Sequence, residues 1–507
     1  MTAGRQSAAL VAAVLAALGL GSLFIGLLGA SPPARRPVLS SSVPQDVAAT
    51  ARRDDFDNHA WALFVALSSP SGPSGAQRGK TIGEEPRVPR VWETFVDPID
   101  IFQPGSIASG FPAARGHGAG RKVFYLSHSG TGLFAAGASG DSQPFEASHN
   151  LQAGSNWPLI DQLGNYAIYE IRLNPRMADF ITSKGLDTAA GVMAAGDLDL
   201  PAGSIVVKAA WRIFPRSWPT EKPEILARYY WTTADIVVSA DQDSSKQGGF
   251  TIEQVPVGLV GLHVIQKTRR QPQWIWTTFE QADNYEAVGA PPGLAPTYND
   301  GKRAIGDVAN NRQPLLPSGS PPPDKHVYLW SRPADMTKAE YTPLAPYTRP
   351  QIQRAANEIP LPAAVNRVWQ AALPAPWKHY RLMVAQWTDG GKPGGRPLPR
   401  NSDNVSIARN TVLESYLLGD QTLASQVPAV RVRDDGSTFA LPDSTLDDMI
   451  VATITATKYP PDDKTGALTW SSCMLCHEAA QCSRGGKVVL TDFSMLFRSY
   501  LKECTSG

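Results

Sequence analysis

Two neighbouring stretches, VPVGLVGLHVIQKT (255–268) and PQWIWTTFEQAD (272–283), are rich in Val, Ile, Trp and Thr. These residue types favour β-strands, because branched and aromatic side chains pack well on a pleated surface. Successive side chains of a strand point to opposite faces. The second stretch therefore has two faces, Trp274, Trp276 and Thr278 on one and Ile275, Thr277 and Phe279 on the other. Both stretches are predicted to be strands.

Two earlier runs, LPAGSIVVKAAWRIF (200–214) and ARYYWTTADIVVSA (227–240), have a similar composition. The first opens on a Pro-Ala-Gly turn signal before its apolar residues begin. Because all four runs lie between residues 200 and 283, an antiparallel sheet is the most economical arrangement. A further strand is predicted in HYRLMVAQW (379–387).

Helical spacing of apolar residues is limited to short segments. It occurs in DDFDNHAWALFVAL (54–67), and residues 351–373 predict a broken helix. In TDFSMLFRSYLKEC (491–504), with Asp492 as the predicted N-cap, one helical face collects Phe493, Leu496, Phe497, Tyr500 and Leu501. The 43 glycines and 43 prolines favour short elements and long loops. We therefore predict an α+β fold, with one or more β-rich antiparallel sheet domains, loop-rich insertions, short helices and a helical C-terminus.

The chain has four cysteines, and three of them lie in SSCMLCHEAAQC (471–482). Cys473, Cys476 and His477 have the C-x-x-C-H spacing of a c-type haem attachment site, in which two thiols bond the porphyrin and the adjacent imidazole ligates the iron. We favour this interpretation and expect one covalent haem c, borne by the helical C-terminus.

Three other interpretations of these cysteines compete. A thioredoxin-like redox pair leaves His477 without a role. A structural zinc site needs four ligands, which Cys482 and a single nearby histidine supply poorly. The cysteines can also be ordinary disulfide partners in an exported chain.

Residues 8–30 form an uncharged apolar run that follows Arg5. The run is longer than a usual signal-peptide core and long enough to span a bilayer, so a cleaved signal peptide and an uncleaved membrane anchor are both open. Either one takes the remainder of the chain out of the cytoplasm to the far side of the membrane, and haem of this type is attached on that far side. We expect a periplasmic protein, held at the inner membrane if the segment is not cleaved.

An oxidising compartment also permits disulfides. Once Cys473 and Cys476 carry haem, Cys482 and Cys504 remain as an even pair. Closing that loop stabilises the tail by about 3 kcal/mol in the chain-entropy model. The alternative is two free, buried thiols.

Three parts are expected along the chain. Residues 1–38 are a signal peptide or membrane anchor plus tether, 39–315 a β-rich N-terminal domain, and 316–507 a C-terminal region with the covalent haem site. The turn-rich segment PSGSPPPD (317–324) suits a boundary or a long loop. The 47 basic and 46 acidic residues nearly cancel, so no overall charge attracts nucleic acid.

The segment SSCMLCHEAA (471–480), followed by TDFSMLF (491–497), resembles bacterial monohaem c-type cytochrome-like proteins whose haem motif lies at the C-terminal end. GLVGLHVIQKT (258–268) and PQWIWTTFEQADN (272–284) are similar to further parts of that family. LPAGSIVVKAAWR (200–212) is similar to a turn and strand of a second group, the small antiparallel-sheet cytochromes in which a lysine cross-links the haem. This chain is several times longer, and no particular lysine can be assigned to a cross-link. That chemistry is therefore not expected here.

Small cytochromes c place a methionine ligand several tens of residues after the haem motif, whereas only 30 residues follow His477. Met495 lies downstream, but at 100° per residue it is opposite the apolar face of the predicted last helix. We expect the sixth iron position to be open, or filled from upstream of residue 471. The upstream candidates are Met383, Met449, His59, His117, His128, His149, His263, His326 and His379.

Three functions fit these expectations. The first is electron transfer between the covalent haem and a redox partner protein. The second is a haem enzyme, peroxidase-like or acting on a small molecule, with an open iron position. The third is a non-catalytic haem sensor or assembly component. Because so few residues follow the motif, the upstream region is expected to cover the haem, which favours one integrated haem protein with electron transfer as its leading function.

Overall fold

A computed structural model of the chain describes residues 37–73, 75–77, 79–102, 122–126, 159–240, 242–284, 297–298, 330–336, 362–388, 410, 412–413, 473, 477 and 480–504. The chain divides into two compact units, residues 1–38 and residues 39–507. The apolar run at 8–30 lies outside the described residues, so its cleavage and its insertion into a membrane stay predictions. Within the ranges given above, no helix combines the length and the apolar character needed to cross a bilayer.

The described elements are short, apart from the first helix and one strand. The helices are α1 (Arg53–Leu67), α2 (Pro98–Phe102), α3 (Pro175–Ser183), α4 (Ala189–Ala195), α5 (Trp218–Glu221), α6 (Pro223–Leu226), α7 (Ala363–Ala372) and α8 (Leu496–Tyr500). The strands are β1 (Ser71–Gly72), β2 (Gly75–Ala76), β3 (Lys122–Leu126), β4 (Ile168–Leu173), β5 (Ile205–Ile213), β6 (Trp231–Val238), β7 (Phe250–Gln266), β8 (Ile275–Gln281), β9 (Tyr380–Gln386), β10 (Gln481–Arg484) and β11 (Lys487–Leu490). This mixture of sheet and short helices agrees with the predicted α+β class.

A seven-stranded sheet forms the centre of the second unit. Its order is β3-β6-β7-β5-β4, with β8 beside β7 and β9 beside β8. Because β7 is 17 residues long, it pairs with β5 along one edge and with β6 and β8 along the two halves of the other edge. The pairs are antiparallel except for β3 with β6. The four runs predicted between residues 200 and 283 are β5 to β8, so the predicted antiparallel sheet is confirmed.

The alternation predicted in 272–283 divides its side chains between two cores. Ile275 and Phe279 lie in the core that includes α1, whereas Trp274 and Trp276 lie in a second core. On the neighbouring strand, Val264 belongs to the first core and Ile265 packs against the second. Both faces of this part of the sheet are therefore covered, as expected for strands with apolar residues at successive positions.

The first helix covers one face of the sheet. The helix predicted at 54–67 is α1, and its Trp61 and Phe64 are fully buried. The Trp61 ring meets Phe279 of β8 edge-on, with 5.0 Å between the ring centroids, an arrangement that aromatic pairs prefer. The indole N–H of Trp61 donates to Asn366 of α7 at 3.0 Å. These contacts join α1 and α7 over β8.

Residues from both sides of the expected boundary near 315 share the sheet. β9 comes from beyond that boundary and pairs with β8. Its first residue, Tyr380, donates its hydroxyl to the carbonyl of Leu259 at 2.8 Å and accepts from the amide of Tyr230 at 3.0 Å. Residues 39–507 form one compact unit, in which this strand from beyond the expected boundary satisfies the outer edge of β8.

The tail begins with a hairpin that the sequence-based prediction lacks. β10 and β11 pair antiparallel, with Arg484 opposite Lys487, so Gly485 and Gly486 form a two-residue turn. Their φ angles are 58° and 76°. Because both turn positions need positive φ, a Gly-Gly pair suits this tight hairpin.

The last helix is shorter than predicted. At the end of the described chain lie α8, of five residues, and a 3₁₀ helix at Lys502–Cys504, and Met495 takes the N-cap position expected for Asp492. Asp492 and Phe493 instead have left-handed backbones, with φ of 49° and 64°. The structure therefore does not support one continuous helix over this segment, because the left-handed turn delays the start of α8.

Candidate functional site

The described residues of the haem motif lie against the second core, which we call the tail core. Cys473 is partly buried and packs against it, and both Cys473 and His477 have helical backbone conformation. The tail core joins side chains of α2, α3 and α4, the tryptophans beside β8 and the end of the chain: Phe102, Met177, Ile181, Val192, Trp274, Trp276, Val489, Phe493, Leu496, Phe497 and Leu501. The upstream sheet and the tail thus build one apolar environment around these residues of the motif. Cys476 lies outside the described residues.

The imidazole of His477 has a defined orientation. Its Nδ1 atom lies 2.8 Å from the backbone carbonyl oxygen of Phe493. A carbonyl oxygen only accepts hydrogen bonds, so Nδ1 must carry the hydrogen and Nε2 is the nitrogen with a lone pair to offer. The ring of Trp276 lies 4.5 Å from the His477 ring, tilted by 51°. Histidines that ligate metals commonly donate their other ring N–H to such an acceptor, which fixes the ring and raises its basicity as a ligand.

A short turn presents the Phe493 carbonyl. The amide of Ser494 donates to the carbonyl of Thr491 at 2.9 Å, and the Thr491 hydroxyl donates to the carbonyl of Ser494 at 2.8 Å. The same threonine donates its amide to Ala480 at 3.2 Å, and Ala480 donates its amide to the carbonyl of His477 at 2.9 Å. Residues 491–494 and the histidine are therefore connected both through the ring and through the backbone.

The carboxylate of Asp492 is buried beside this turn. Its Oδ2 atom accepts from the Nζ of Lys267 at 2.6 Å and from the amide of Leu200 at 2.9 Å. Burial raises the pKa of Asp492 from 3.8 to about 6, and the neighbouring Lys267 ammonium opposes part of that rise. Lys267 also contacts the largely exposed Asp199, at 2.5 Å. The end of β7 is thus tied electrostatically to the tail.

A disulfide joins Cys482 to Cys504, the pair that the sequence leaves after the haem motif. Both residues are buried in the tail core. The bond connects β10 to the end of the described chain and encloses the turn and α8. Because Cys482 is bonded to Cys504, it is not available to complete a zinc site with His477 and the two motif cysteines.

Helix α8 packs its apolar side into the tail core. Leu496 and Phe497 are buried, and the Phe497 ring meets Phe102 of α2 edge-on at 5.7 Å. Tyr500 stacks on the same Phe102 ring at 5.6 Å. Met495 is only partly buried and is absent from the side chains that form this core. The apolar side predicted for 491–504 is therefore observed, on a shorter helix.

The described candidates for a sixth ligand lie in different surroundings. His59 is on α1, across the sheet from the tail core, where its Nε2 lies 2.8 Å from Gln266 and burial lowers its pKa. His263 on β7 is half-buried and is two residues from Ile265, so it shares the sheet face of Trp276. His379 ends the 3₁₀ helix Trp377–His379, and Met383 is on β9. Outside the described residues lie Met449, His117, His128, His149 and His326.

Comparison of the chain with protein-family models, with curated proteins and with solved structures gives no match. Among the described residues, no group of three or more His, Cys, Asp and Glu side chains is arranged to hold a metal ion. The two described residues of the motif, Cys473 and His477, supply a thiol and an imidazole, the kinds of group that hold a haem c. The Nδ1 contact of His477 makes Nε2 the ring nitrogen that could ligate iron, and the partly buried Cys473 packs against the apolar tail core. These properties are the ones that covalent attachment and axial ligation require.

Several residues around His477 are not predicted from the sequence. The Gly485–Gly486 pair is a detectable hairpin signal, and it explains how the tail folds back. The acceptor role of the Phe493 carbonyl has no signal, because backbone carbonyls do not differ between residue types. Lys267 resembles any polar residue that follows a strand.

Proposed function

We propose that this protein is an exported c-type haem protein that transfers electrons through one haem bound covalently by Cys473 and Cys476. The observation that carries the proposal is the hydrogen bond from Nδ1 of His477 to the Phe493 carbonyl, 2.8 Å long. It leaves Nε2 as the ligand atom and holds the ring in one orientation, the arrangement used by metal-ligating histidines.

Attachment uses the two thiols as nucleophilic groups. Each thiol adds its sulfur to one carbon of a vinyl group and its hydrogen to the other, so nothing leaves and no oxidant is consumed. The reaction requires reduced thiols. Because Cys482 and Cys504 are bonded to each other, their sulfur atoms do not compete with Cys473 and Cys476 for the vinyl groups. His477 would hold the haem iron through its Nε2 lone pair.

Bound haem supplies one-electron chemistry over a wide range of potentials, set by its ligands and surroundings. The chain contributes the surroundings. Trp276 lies against the His477 ring, and Trp276 belongs to the buried tail core. The Nδ1 hydrogen bond makes the imidazole a stronger donor, which favours the oxidised state. A redox partner protein is needed to deliver or accept the electron.

Export follows from the apolar run at 8–30, as a cleaved signal peptide or as an anchor in the inner membrane. The disulfide supports the same assignment, since such bonds persist in oxidising compartments such as the periplasm. We therefore propose a periplasmic location for residues 39–507.

Absorption spectra of the purified protein with and without carbon monoxide test electron transfer against the alternatives. Electron transfer predicts a low-spin ferrous spectrum that carbon monoxide leaves unchanged, because both axial positions are filled. A high-spin spectrum that shifts with carbon monoxide would contradict electron transfer and favour an enzyme or a sensor with an open position. His477→Ala is the matched variant, and its spectrum should change in either case.

A further inference from the structure

A buried ion pair lies directly behind the turn that binds His477. Lys267, the residue after β7, contacts Asp492 with 2.6 Å between Nζ and Oδ2, and their side chains are 3% and 0% exposed. The two residues are 225 positions apart in the sequence. Removing two charges from water costs a large desolvation energy that their attraction only partly returns. Such a pair therefore adds little to the stability of the fold, but it fixes the position of the Asp492 side chain relative to Lys267.

The backbone next to this pair is strained. Asp492 and Phe493 have φ of 49° and 64°, a region that residues with a Cβ avoid, and bulky residues most of all. Two successive residues of this kind persist only where their surroundings hold them. The bend has one direct consequence, which is that the Phe493 carbonyl faces Nδ1 of His477.

The sheet supplies the constraint that holds the bend. Both donors to Asp492, the Lys267 ammonium and the Leu200 amide, meet the same oxygen. Lys267 is itself fixed, because its amide donates to Ser204 at 2.9 Å and its carbonyl accepts from the amide of Gly203 at 2.7 Å. The Asp492 carboxylate is thus anchored to the residues just before β5 and just after β7, and the Phe493 carbonyl that follows it is anchored as well.

We propose that Lys267 and Asp492 are positioning residues for the haem ligand: they hold the turn at 491–494 so that the Phe493 carbonyl accepts the Nδ1 hydrogen of His477, and they thereby set the electron affinity of the bound haem. The inference rests on the proposed function. Its physical basis is that a firm hydrogen bond at Nδ1 strengthens the donation from Nε2 and stabilises the oxidised state. Loosening the turn weakens that bond and makes reduction easier.

The test compares Asp492→Asn with Asp199→Asn in the full-length, haem-loaded protein. Each variant removes one carboxylate from Lys267, but Asp199 is 61% exposed and lies outside the turn. Asp492→Asn should raise the equilibrium constant for reduction about tenfold, equivalent to about 59 mV for one electron, and should speed solvent exchange of the His477 Nδ1 hydrogen in proton NMR spectra. Asp199→Asn should leave the equilibrium constant for reduction and the Nδ1 exchange rate within twofold of their wild-type values.

The outcomes separate this inference from the proposed function. A haem-loaded Asp492→Asn protein with the wild-type potential and the wild-type Nδ1 exchange rate would overturn the inference and leave the proposed function standing. Wild-type protein without covalent haem would overturn both. If Asp492→Asn does not accumulate as folded protein, Lys267→Gln keeps the carboxylate, removes its charge partner and is judged by the same two measurements.

Discussion

Nδ1 of His477 lies 2.8 Å from the carbonyl oxygen of Phe493, 16 residues further along the chain. The hairpin of β10 and β11 brings these two residues together, since it reverses the chain between them. A tail of 30 residues thus orients its own candidate ligand, while the sheet contributes Trp276 and Lys267 from upstream. The site depends on both parts of the chain, and its parts can be tested separately.

Removing the disulfide should destabilise the protein without removing the haem. Replacing Cys482 and Cys504 together by serine should lower the free energy of unfolding by about 3 kcal/mol, because the unfolded chain gains the entropy that the closed loop denies it. Urea unfolding followed by tryptophan fluorescence measures the change. A thiol reductant should lower the stability of wild type and leave the double variant unchanged; equal stability of the two oxidised proteins would contradict the prediction.

Asp57 of α1 should make stability depend on pH. Its carboxyl is buried, one oxygen has no hydrogen-bond partner, and burial raises its pKa from 3.8 to about 7. The folded state then holds a proton that the unfolded state releases between pH 4 and 7, so this group lowers stability as pH rises. Asp57→Asn removes the titrating carboxyl and with it this loss of stability at higher pH.

We expect the stability advantage of Asp57→Asn over wild type to grow by about 2.5 kcal/mol between pH 5 and pH 8. Chemical denaturation at both pH values provides the measurement. Asp54→Asn on the exposed side of the same helix is the matched control and should show no comparable growth. A constant difference between Asp57→Asn and wild type would show that the carboxyl is well solvated.

Met495 is predicted not to be the sixth iron ligand, because it is outside the tail core and precedes a helix whose apolar side faces elsewhere. Met495→Ala should therefore retain the ferric spectrum and the potential of wild type. Loss of a weak charge-transfer band at the red edge, with a fall in potential of more than about 100 mV, would identify Met495 as the ligand. His263→Ala is the variant to compare with Met495→Ala. His263 is an upstream candidate for the sixth ligand and shares the sheet face of Trp276.

Deleting residues 8–30 should give cytoplasmic protein without haem, because attachment takes place after export. Fractionation followed by peroxidase staining of denaturing gels measures location and haem together. The full chain in the same host is the control. Haem-loaded protein in the cytoplasmic fraction of the deletion variant would sink this prediction.

The sequence predicts the strands that carry their own pattern and misses those that depend on distant partners. β5 to β8 each combine apolar alternation with flanking turn signals, and α1 has helical spacing. β3 is five residues long in a glycine-rich region, and its parallel pairing with β6 is a tertiary effect.

The same distinction holds at the site. Cys473, Cys476 and His477 are adjacent in the sequence, so their spacing alone predicts the chemistry. The Phe493 carbonyl and the pair of Lys267 with Asp492 are not predicted, because a left-handed turn and a contact across 225 residues leave no local pattern. The long helix predicted for the tail fails for that reason as well, since the turn interrupts an otherwise regular apolar spacing.

The proposed function requires that Cys473 and Cys476 bind one haem covalently. The most direct measurement is the intact mass of the exported protein under denaturing conditions, compared with the Cys473→Ala/Cys476→Ala double variant, both from a host that matures c-type cytochromes. We expect the added mass of one haem on the wild-type chain and no added mass on the double variant. A wild-type chain without added mass, or a double variant that keeps it, would contradict the claim.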